Sequence, residues 1–125
     1  MSKRRVVITG LGAVTPVGNT VQTTWDNLIA GQSGTVRISK FDAKDINSQI
    51  AGEVKDFNVS EYIGQKEART MDTFIHYGLA AGIQAFRDSG IEVTDENSER
   101  IGVIIGSGIG GLPLIEANCE ALFNK

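Results

Sequence analysis

Residues 101–111 read IGVIIGSGIGG, an apolar run that leads directly into a glycine-rich loop. The first part of this stretch, residues 101–106, is apolar on both faces, which is typical of a strand buried within a parallel sheet. Near the start of the chain, residues 6–9 read VVIT, are β-branched throughout, and also end at a glycine, Gly10. With helices between them, these two strands predict an α/β fold in which parallel strands are joined by right-handed crossovers.

The first of two helices predicted between the strands runs from Val21 to about Ala30. Asn19 or Thr20 can supply the side-chain oxygen that caps its first turn. Gly31 can end the helix, because glycine readily adopts the left-handed backbone conformation found after many helix ends.

The second predicted helix covers residues 65–89 and ends at Gly90. A separate face of it carries small residues, among them Gly78 and Gly82, and each helical glycine costs about 1 kcal/mol relative to alanine. We therefore expect another backbone segment to approach this face closely. Apolar residues recur at helical spacing along the other face, namely Met71, Phe74, Ile75, Leu79, Ile83 and Phe86.

The remaining segments carry weaker signals. Between the two helices we expect loops, a short strand near residues 50–54 and a helical turn at 59–63. Residues 88–99 are acidic and are predicted to form a solvated connecting loop. A last helix is expected to begin at Leu112 or Pro113, because proline is well suited to the first turn of a helix.

Composition argues against several classes of protein. The 125 residues carry 12 basic and 15 acidic side chains, and the net charge of −3 argues against binding to nucleic acid. No apolar run approaches the ~18 residues that a membrane span needs. A single cysteine, Cys119, cannot form an internal disulfide and fits a reducing, cytoplasmic location.

The two glycine-rich loops do not match nucleotide-binding motifs. Residues 10–15 read GLGAVT, whereas a dinucleotide fingerprint needs glycine where Thr15 stands. Residues 106–111 have the outer glycines of a P-loop, but Leu112 and Pro113 follow where the phosphate-binding lysine is needed. This second loop comes after a predicted parallel strand, at the sheet edge where ligands gather, so we expect its backbone to approach a ligand or another chain.

The one cysteine and the one histidine show no sign of catalysis. Cys119 lies two turns into the last predicted helix, and its neighbours Asn118 and Glu120 supply no base or cation to stabilise a thiolate. Cys119 is therefore predicted to be a small core or interface residue, and His76 a packed or half-exposed helix residue. Because zinc takes three or four protein ligands of suitable type, no metal site is expected.

Six short segments carry a resemblance to a known family when they are taken together, in order and at their spacing along the chain. They are residues 4–12 (RRVVITGLG), 15–19 (TPVGN), 55–57 (KDF), 66–69 (KEAR), 71–74 (MDTF) with Tyr77, and 106–111 (GSGIGG). Together they resemble the β-ketoacyl-acyl-carrier-protein synthases, and most nearly the enzymes that elongate acyl chains in bacterial type II fatty acid synthesis. The resemblance implies a thiolase-like fold, in which two similar α/β halves stack as alternating α/β/α/β/α layers and assemble as a homodimer.

The resemblance also implies an acyltransferase activity, the decarboxylative Claisen condensation of malonyl-acyl carrier protein with acyl-acyl carrier protein. In the family a cysteine carries the acyl chain and two histidines stabilise the developing charges, with no cofactor. None of these three residues has a counterpart in this chain. We therefore expect residues 1–125 to form the N-terminal part of a condensing-enzyme domain, incomplete and inactive on its own. The alternative is a noncatalytic α/β module that binds carrier protein or a partner chain.

Two binding sites, and no catalytic residue, are implied by the resemblance. Lys66 and Arg69 lie in the segment that meets the acidic carrier protein in the family, although Thr70 stands at a position that is often basic. Gly108 and Ile109 lie in the loop that lines the channel for the growing acyl chain near the dimer interface. These residues are the candidates for carrier-protein docking and for the acyl pocket.

The isolated 125-residue chain is expected to catalyse no condensation, because it offers neither an activated nucleophile nor converging donors for a thioester oxygen. The assay is product formation from acyl- and malonyl-acyl carrier protein with the purified chain, free of any longer synthase. Turnover that is present in this chain and disappears in Cys119→Ser would contradict the prediction and identify Cys119 as a nucleophile.

Overall fold

The computed structural model describes residues 3–124, so the ends of the expected 1–125 unit lie outside the described residues. Within this range, helices predominate over strands. The helices are α1 (Val21–Ile29), α2 (Gln65–Ala68), α3 (Thr73–Ser89) and α4 (Leu112–Phe123), with short 3₁₀ helices at Val59–Glu61 and Ser98–Arg100. The strands are β1 (Thr35–Arg37) and β2 (Ile50–Gly52). The predicted beginning of the last helix is confirmed, as is the helical turn near residue 59.

Helix α1 has the two ends that its sequence predicts. Thr20 is the N-cap, and its Oγ1 accepts a hydrogen bond of 3.1 Å from the amide of Thr23, whose own Oγ1 accepts from the Thr20 amide at 3.2 Å. This reciprocal capping box satisfies two amides that have no partner within the helix. After Ala30, Gly31 takes a φ of 71°, the left-handed conformation that ends the helix.

Residues 65–89 form two helices rather than the single one predicted. After α2 the chain tightens, because the amides of Thr70 and Met71 bond to carbonyls three residues back, at 3.0 and 3.2 Å. Asp72 is then extended, with a ψ of 158°, and caps α3 through its side chain. An aspartate with these angles begins a new helix instead of continuing the old one. The predicted end of α3 is confirmed at Gly90, which has a φ of 64°.

The strand predictions are confirmed in one place and wrong in two. β2 lies where a short strand was expected, and it pairs antiparallel with the unpredicted β1, with Val36 opposite Ala51. Residues 6–9 and 101–106 belong to no strand, although both were expected to be parallel strands. A strand is defined by its ladder of hydrogen bonds to a neighbour. Within residues 3–124 neither segment has such a neighbour, so their β-branched composition alone does not make them strands.

The two segments expected to be strands are exposed instead of buried. The exposed fraction reaches 87% at Val6 and 98% at Ile104. Their apolar side chains therefore lack the covering layers that a buried parallel strand has on both faces. The combination of helices and sheet within residues 3–124 is consistent with the α/β class, although the described sheet is antiparallel and not parallel as expected.

The loop after residue 9 lies directly on the backbone of α3. A Cβ atom at Gly10 would collide with the carbonyl oxygen of Ala85, and one at Gly12 with that of Ala81. Both positions therefore require glycine, since any side chain would push the loop off the helix. The predicted close approach of a backbone to the small-residue face of α3 is confirmed at these alanines, whereas over Gly78 and Gly82 lies a side chain, that of Ile105.

Polar side chains of α3 hold the same loop by its backbone. The amide of Leu11 donates to Asp88 Oδ2 at 2.9 Å, and the amide of Ala13 donates to Gln84 Oε1 at 3.2 Å. The Nε2 group of Gln84 donates in turn to the carbonyl of Asn19, at 2.8 Å, and to the hydroxyl of Tyr62, at 3.0 Å. One glutamine thus ties three parts of the chain to α3.

A small aromatic cluster covers the neighbouring side of α3. Phe57 stacks on Tyr62 with ring centroids 6.0 Å apart, and it meets Tyr77 edge-on at 5.1 Å. Partial burial in this cluster raises the pKa of the Tyr77 phenol, because burial disfavours the charged form.

Among the described residues, none of the helices combines the length and apolar character that spanning a bilayer requires.

Gly12→Ala is expected to lower the free energy of unfolding by about 1–3 kcal/mol, because the added methyl group meets the backbone of α3, which cannot move aside cheaply. Gly102→Ala is the matched control, since no atom lies within 4 Å of its added Cβ. Urea unfolding of the two variants gives the comparison. A loss in Gly12→Ala no larger than in Gly102→Ala would show that the loop does not depend on this contact.

Candidate functional site

The two candidate docking residues lie on α2 and at its end. Lys66 is in the helix, and Arg69 is its C-cap with a helical φ of −66° and ψ of −20°. Residues three apart on a helical turn lie on one side of it, as their spacing predicts. They lie on the short α2, however, and not at the start of the long helix, because the helical conformation is interrupted at Asp72, the N-cap of α3. Both side chains are exposed.

The surroundings of the docking residues leave both cations accessible. Within residues 3–124, neither Lys66 nor Arg69 forms an ion pair with a carboxylate closer than 4.0 Å. The ion pair that does form joins Lys44 and Asp42. Arg69 also borders an open depression of about 380 Å³ that Val59, Gln65 and Ala68 share. A carboxylate of a partner can therefore reach either side chain without displacing an ion pair within the described part of the chain.

The two candidate acyl-pocket residues lie in the exposed middle of the loop 106–111. Ile109 is 76% exposed, and no atom lies within 4 Å of where a Cβ would stand on Gly106 or Gly108. The end of the loop is different, because a Cβ on Gly110 would come within 3.5 Å of the Phe74 ring. The loop is thus free around Gly108 and Ile109 and attached immediately after them.

An apolar groove runs along α3 beside this loop, and Ile105 divides it. Its side chain lies over the two helical glycines, 3.5 Å from the Cβ position of Gly78 and 3.7 Å from that of Gly82. A cavity of about 280 Å³ lies on each side of Ile105. One is lined by Phe74, Ile75, Gly78, Leu79, Ile105, Gly106 and Ser107, and the other by Leu79, Gly82, Ile83, Phe86, Arg87, Val103 and Ile105. Neither Gly108 nor Ile109 lines these cavities, although Gly106 and Ser107 of the same loop do.

Asp72 joins the beginnings of two helices. Its Oδ1 accepts a hydrogen bond of 2.5 Å from the amide of Thr73, the first residue of α3. Its Oδ2 accepts one of 3.1 Å from the amide of Leu114 in the first turn of α4. The N-cap of α4 is Gly111, which has no side chain to do this. A carboxylate from a distant residue therefore caps α4, and its charge is favourable beside the positive end of the helix dipole.

His76 has a structural contact within the protein, whereas Cys119 is exposed. One ring nitrogen of the half-buried His76 is 2.9 Å from the carbonyl oxygen of Ala68, so the ring fastens α2 against α3. The prediction of a packed or half-exposed histidine is confirmed. Cys119 is exposed, so its prediction as a core residue is wrong, and its prediction as an interface residue stays a prediction. In the described part of the chain, no group of three histidine, cysteine or acidic residues could hold a metal ion.

The residues that shape the candidate acyl-pocket region were not identified from the sequence. Asp72 was noted only as part of a family motif, Phe74 in the same motif and on the apolar face of the second predicted helix, and Ile105 only as part of a predicted strand. An aspartate followed by threonine before an apolar helical pattern is a recognisable N-cap signal. No sequence signal shows that the same carboxylate also reaches α4, since that contact spans 42 residues.

Comparisons with known proteins agree over the whole chain. Residues 3–125 match the family model described as the N-terminal domain of beta-ketoacyl synthase. The chain is 60% identical over 125 residues to the 3-oxoacyl-[acyl-carrier-protein] synthase 2 of Vibrio harveyi and 49% identical to that of Coxiella burnetii. Each match covers 100% of this chain and 30% of the relative, so the chain spans about 30% of the length of the curated relatives it matches.

The chain is also similar in fold to solved ketosynthase structures. The chain is similar to a type II polyketide ketosynthase in complex with its acyl-carrier protein and bound to a hexaketide, with a TM-score of 0.74 and 28% identity. That match covers 97% of this chain and 31% of the other. It is also similar to the ishigamide ketosynthase/chain length factor, with a TM-score of 0.65 and 33% identity, over 73% of this chain and 23% of the other.

Proposed function

This chain belongs to the β-ketoacyl synthase family and matches its N-terminal domain, and from that membership we propose that the complete protein is a 3-oxoacyl-[acyl-carrier-protein] synthase of the second type. The observation that carries the proposal is the 60% identity over all 125 residues to a relative of that name. Residues 1–125 are the N-terminal part of the condensing-enzyme domain in this proposal. The thiol and imidazoles that perform the chemistry belong to other parts of the complete protein.

The proposed reaction transfers an acyl group and extends it by two carbons. A cysteine thiolate attacks the thioester carbonyl of acyl-acyl carrier protein, and the carrier leaves as a thiolate that takes a proton from solvent. Malonyl-acyl carrier protein then loses its free carboxylate as carbon dioxide, and the electron pair left on the α-carbon attacks the acyl-enzyme thioester. The enzyme thiolate is released, and the product is a 3-oxoacyl chain on the second carrier. Donors placed where the thioester oxygens become negative lower the barrier for these steps.

The test of this proposal uses the complete protein with acyl- and malonyl-acyl carrier protein. The expected result is release of carbon dioxide together with a 3-oxoacyl product two carbons longer than the acyl substrate. Binding of carrier protein without either product would contradict the proposal and would favour a noncatalytic carrier-binding module.

The partners and the location of the complete protein are part of the same proposal. One of the similar solved ketosynthases is bound to an acyl-carrier protein, which supports carrier protein as a partner here. Homodimeric assembly and a cytoplasmic location are proposed from the family resemblance. The exposed apolar side chains of the neighbouring residues Val103 and Ile104 support burial against more protein, because exposed apolar surface commonly marks an interface.

Lys66 and Arg69 are proposed to dock the acidic carrier protein. In the complete protein, Lys66→Glu with Arg69→Glu is expected to raise the KM for acyl-acyl carrier protein roughly tenfold at low salt and less at high salt, because complementary charge mainly accelerates encounter. The matched control is Arg37→Glu with Lys44→Glu, which changes the net charge equally at exposed positions near the sheet. A KM that the first pair leaves unchanged, or that both pairs raise equally, would contradict docking at α2.

Gly108 and Ile109 are proposed to line the acyl channel. Ile109→Phe adds bulk to an apolar tunnel, where overpacking typically costs about 1–3 kcal/mol, so long acyl substrates should slow more than short ones. Ile109→Val is the control, and it should keep the ratio of rates close to that of the unaltered protein. The measurement is kcat/KM for a series of acyl chain lengths. Equal slowing at every length would show that Ile109 has only a structural role.

A further inference from the structure

The loop 106–111 begins directly after Ile105, which packs on α3, is open in its middle, and is held again at its second end. No atom lies within 4 Å of where a Cβ would stand on Gly106 or Gly108. The side chain of Ile109, which follows them, is largely exposed to solvent. The next residue, Gly110, has a φ of 84° and lies against the ring of Phe74. The path of the loop at Ile109 is therefore determined by the attachment of Gly110 and Gly111.

Asp72 lies against the second of the two glycines that come after Ile109, whereas Phe74 lies against the first. A Cβ atom on Gly111 would fall within the space of the Asp72 carboxylate, so this glycine lies directly against it. Three residues later, the Leu114 amide donates to the same carboxylate. A single carboxylate thus contacts the end of the loop and the first turn of α4.

Asp72 supplies the side-chain hydrogen bond at the first turn of α4, where the amide of Leu114 is exposed. The first amides of a helix have no partner within it, and Gly111 supplies no capping side chain. Ile115 bonds back to Gly111, which leaves the amide of Leu114 to Asp72. Without the carboxylate, the start of α4 and the loop that leads into it lose their only side-chain hydrogen bond among the described residues.

From this geometry we infer that Asp72 is the positioning residue of the acyl-pocket loop, and that it thereby sets how sharply the enzyme distinguishes acyl chain lengths. This inference rests on the proposed function, since it takes Ile109 as a wall of the acyl channel. Asp72 itself touches no substrate. It holds Gly111 and the first turn of α4, and so fixes the end of the loop from which the side chain of Ile109 projects.

The test compares Asp72→Ala with Asp88→Ala in the complete protein. Asp88 is a matched control, because its carboxylate also accepts a hydrogen bond from a distant backbone amide, that of Leu11, but near the opposite end of α3. Two quantities are measured: hydrogen exchange at the amide of Leu114, and the ratio of kcat/KM for long and short acyl substrates. Asp72→Asn is a milder second variant, because its amide group keeps the size of the side chain but can accept on one oxygen only.

The expected result is faster exchange at Leu114 in Asp72→Ala together with a chain-length ratio that moves about tenfold towards one, because a small misplacement at a binding wall is costly. Asp72→Asn should shift both quantities in the same direction by less, and Asp88→Ala should shift neither. If Asp72→Ala does not fold, Asp72→Asn decides the question by itself.

Two results would overturn the inference. Unchanged exchange at Leu114 would show that Asp72 does not hold α4, and faster exchange with an equal loss of rate at all chain lengths would show a purely structural cap. Failure of the proposed function is separate, because it is an absence of condensation in the unaltered protein. The exchange measurement reads the anchoring by Asp72 in either case.

Discussion

The backbone of residues 10–13 lies on the backbone of α3 with no side chain between them, and much of the described fold depends on that approach. Gly10 and Gly12 leave no room for a Cβ against Ala85 and Ala81. Because the two backbones are so close, the amides of Leu11 and Ala13 reach the side chains of Asp88 and Gln84 on α3. These amides therefore bond to the helix and not to a neighbouring strand.

The same helix supplies hydrogen-bond acceptors to distant parts of the chain. Asp72, Gln84 and Asp88 each accept from the backbone amide of a residue more than 40 positions away, at Leu114, Ala13 and Leu11 respectively. The amide of Ala13 is half-buried, where an amide without a partner is costly, so its bond to Gln84 selects one arrangement of the loop. The bonds at Leu11 and Leu114 are exposed, and each fixes where its segment meets the helix. Helix α3 therefore holds both the loop of residues 10–13 and the loop that leads into α4. Since His76 also fastens α2, the two candidate binding sites share a single support.

Features with a local cause could be predicted from the sequence. The capping box at Thr20, the left-handed glycines at Gly31 and Gly90, and the proline in the first turn of α4 each depend on residues within one turn. The break at Asp72 also has a local signal, but the uninterrupted apolar spacing of residues 71–86 outweighed it. The contact from Asp72 to Leu114 has no local signal at all, because it depends on how two helices meet.

The two apolar segments show why strands are harder to predict than helices. A helix makes its hydrogen bonds within itself, whereas a strand exists only beside another strand, so composition at residues 101–106 can indicate burial without supplying the partner. The chain corresponds to about 30% of the length of its curated relatives. Apolar residues such as Ile104 are therefore suited to neighbours that a larger assembly supplies. Ile105 differs from its neighbours because it already has a partner, the pair of helical glycines Gly78 and Gly82. Ile105 directly precedes the loop 106–111, so its packing on α3 holds the first end of the loop, as the contact of Asp72 with Gly111 holds the second.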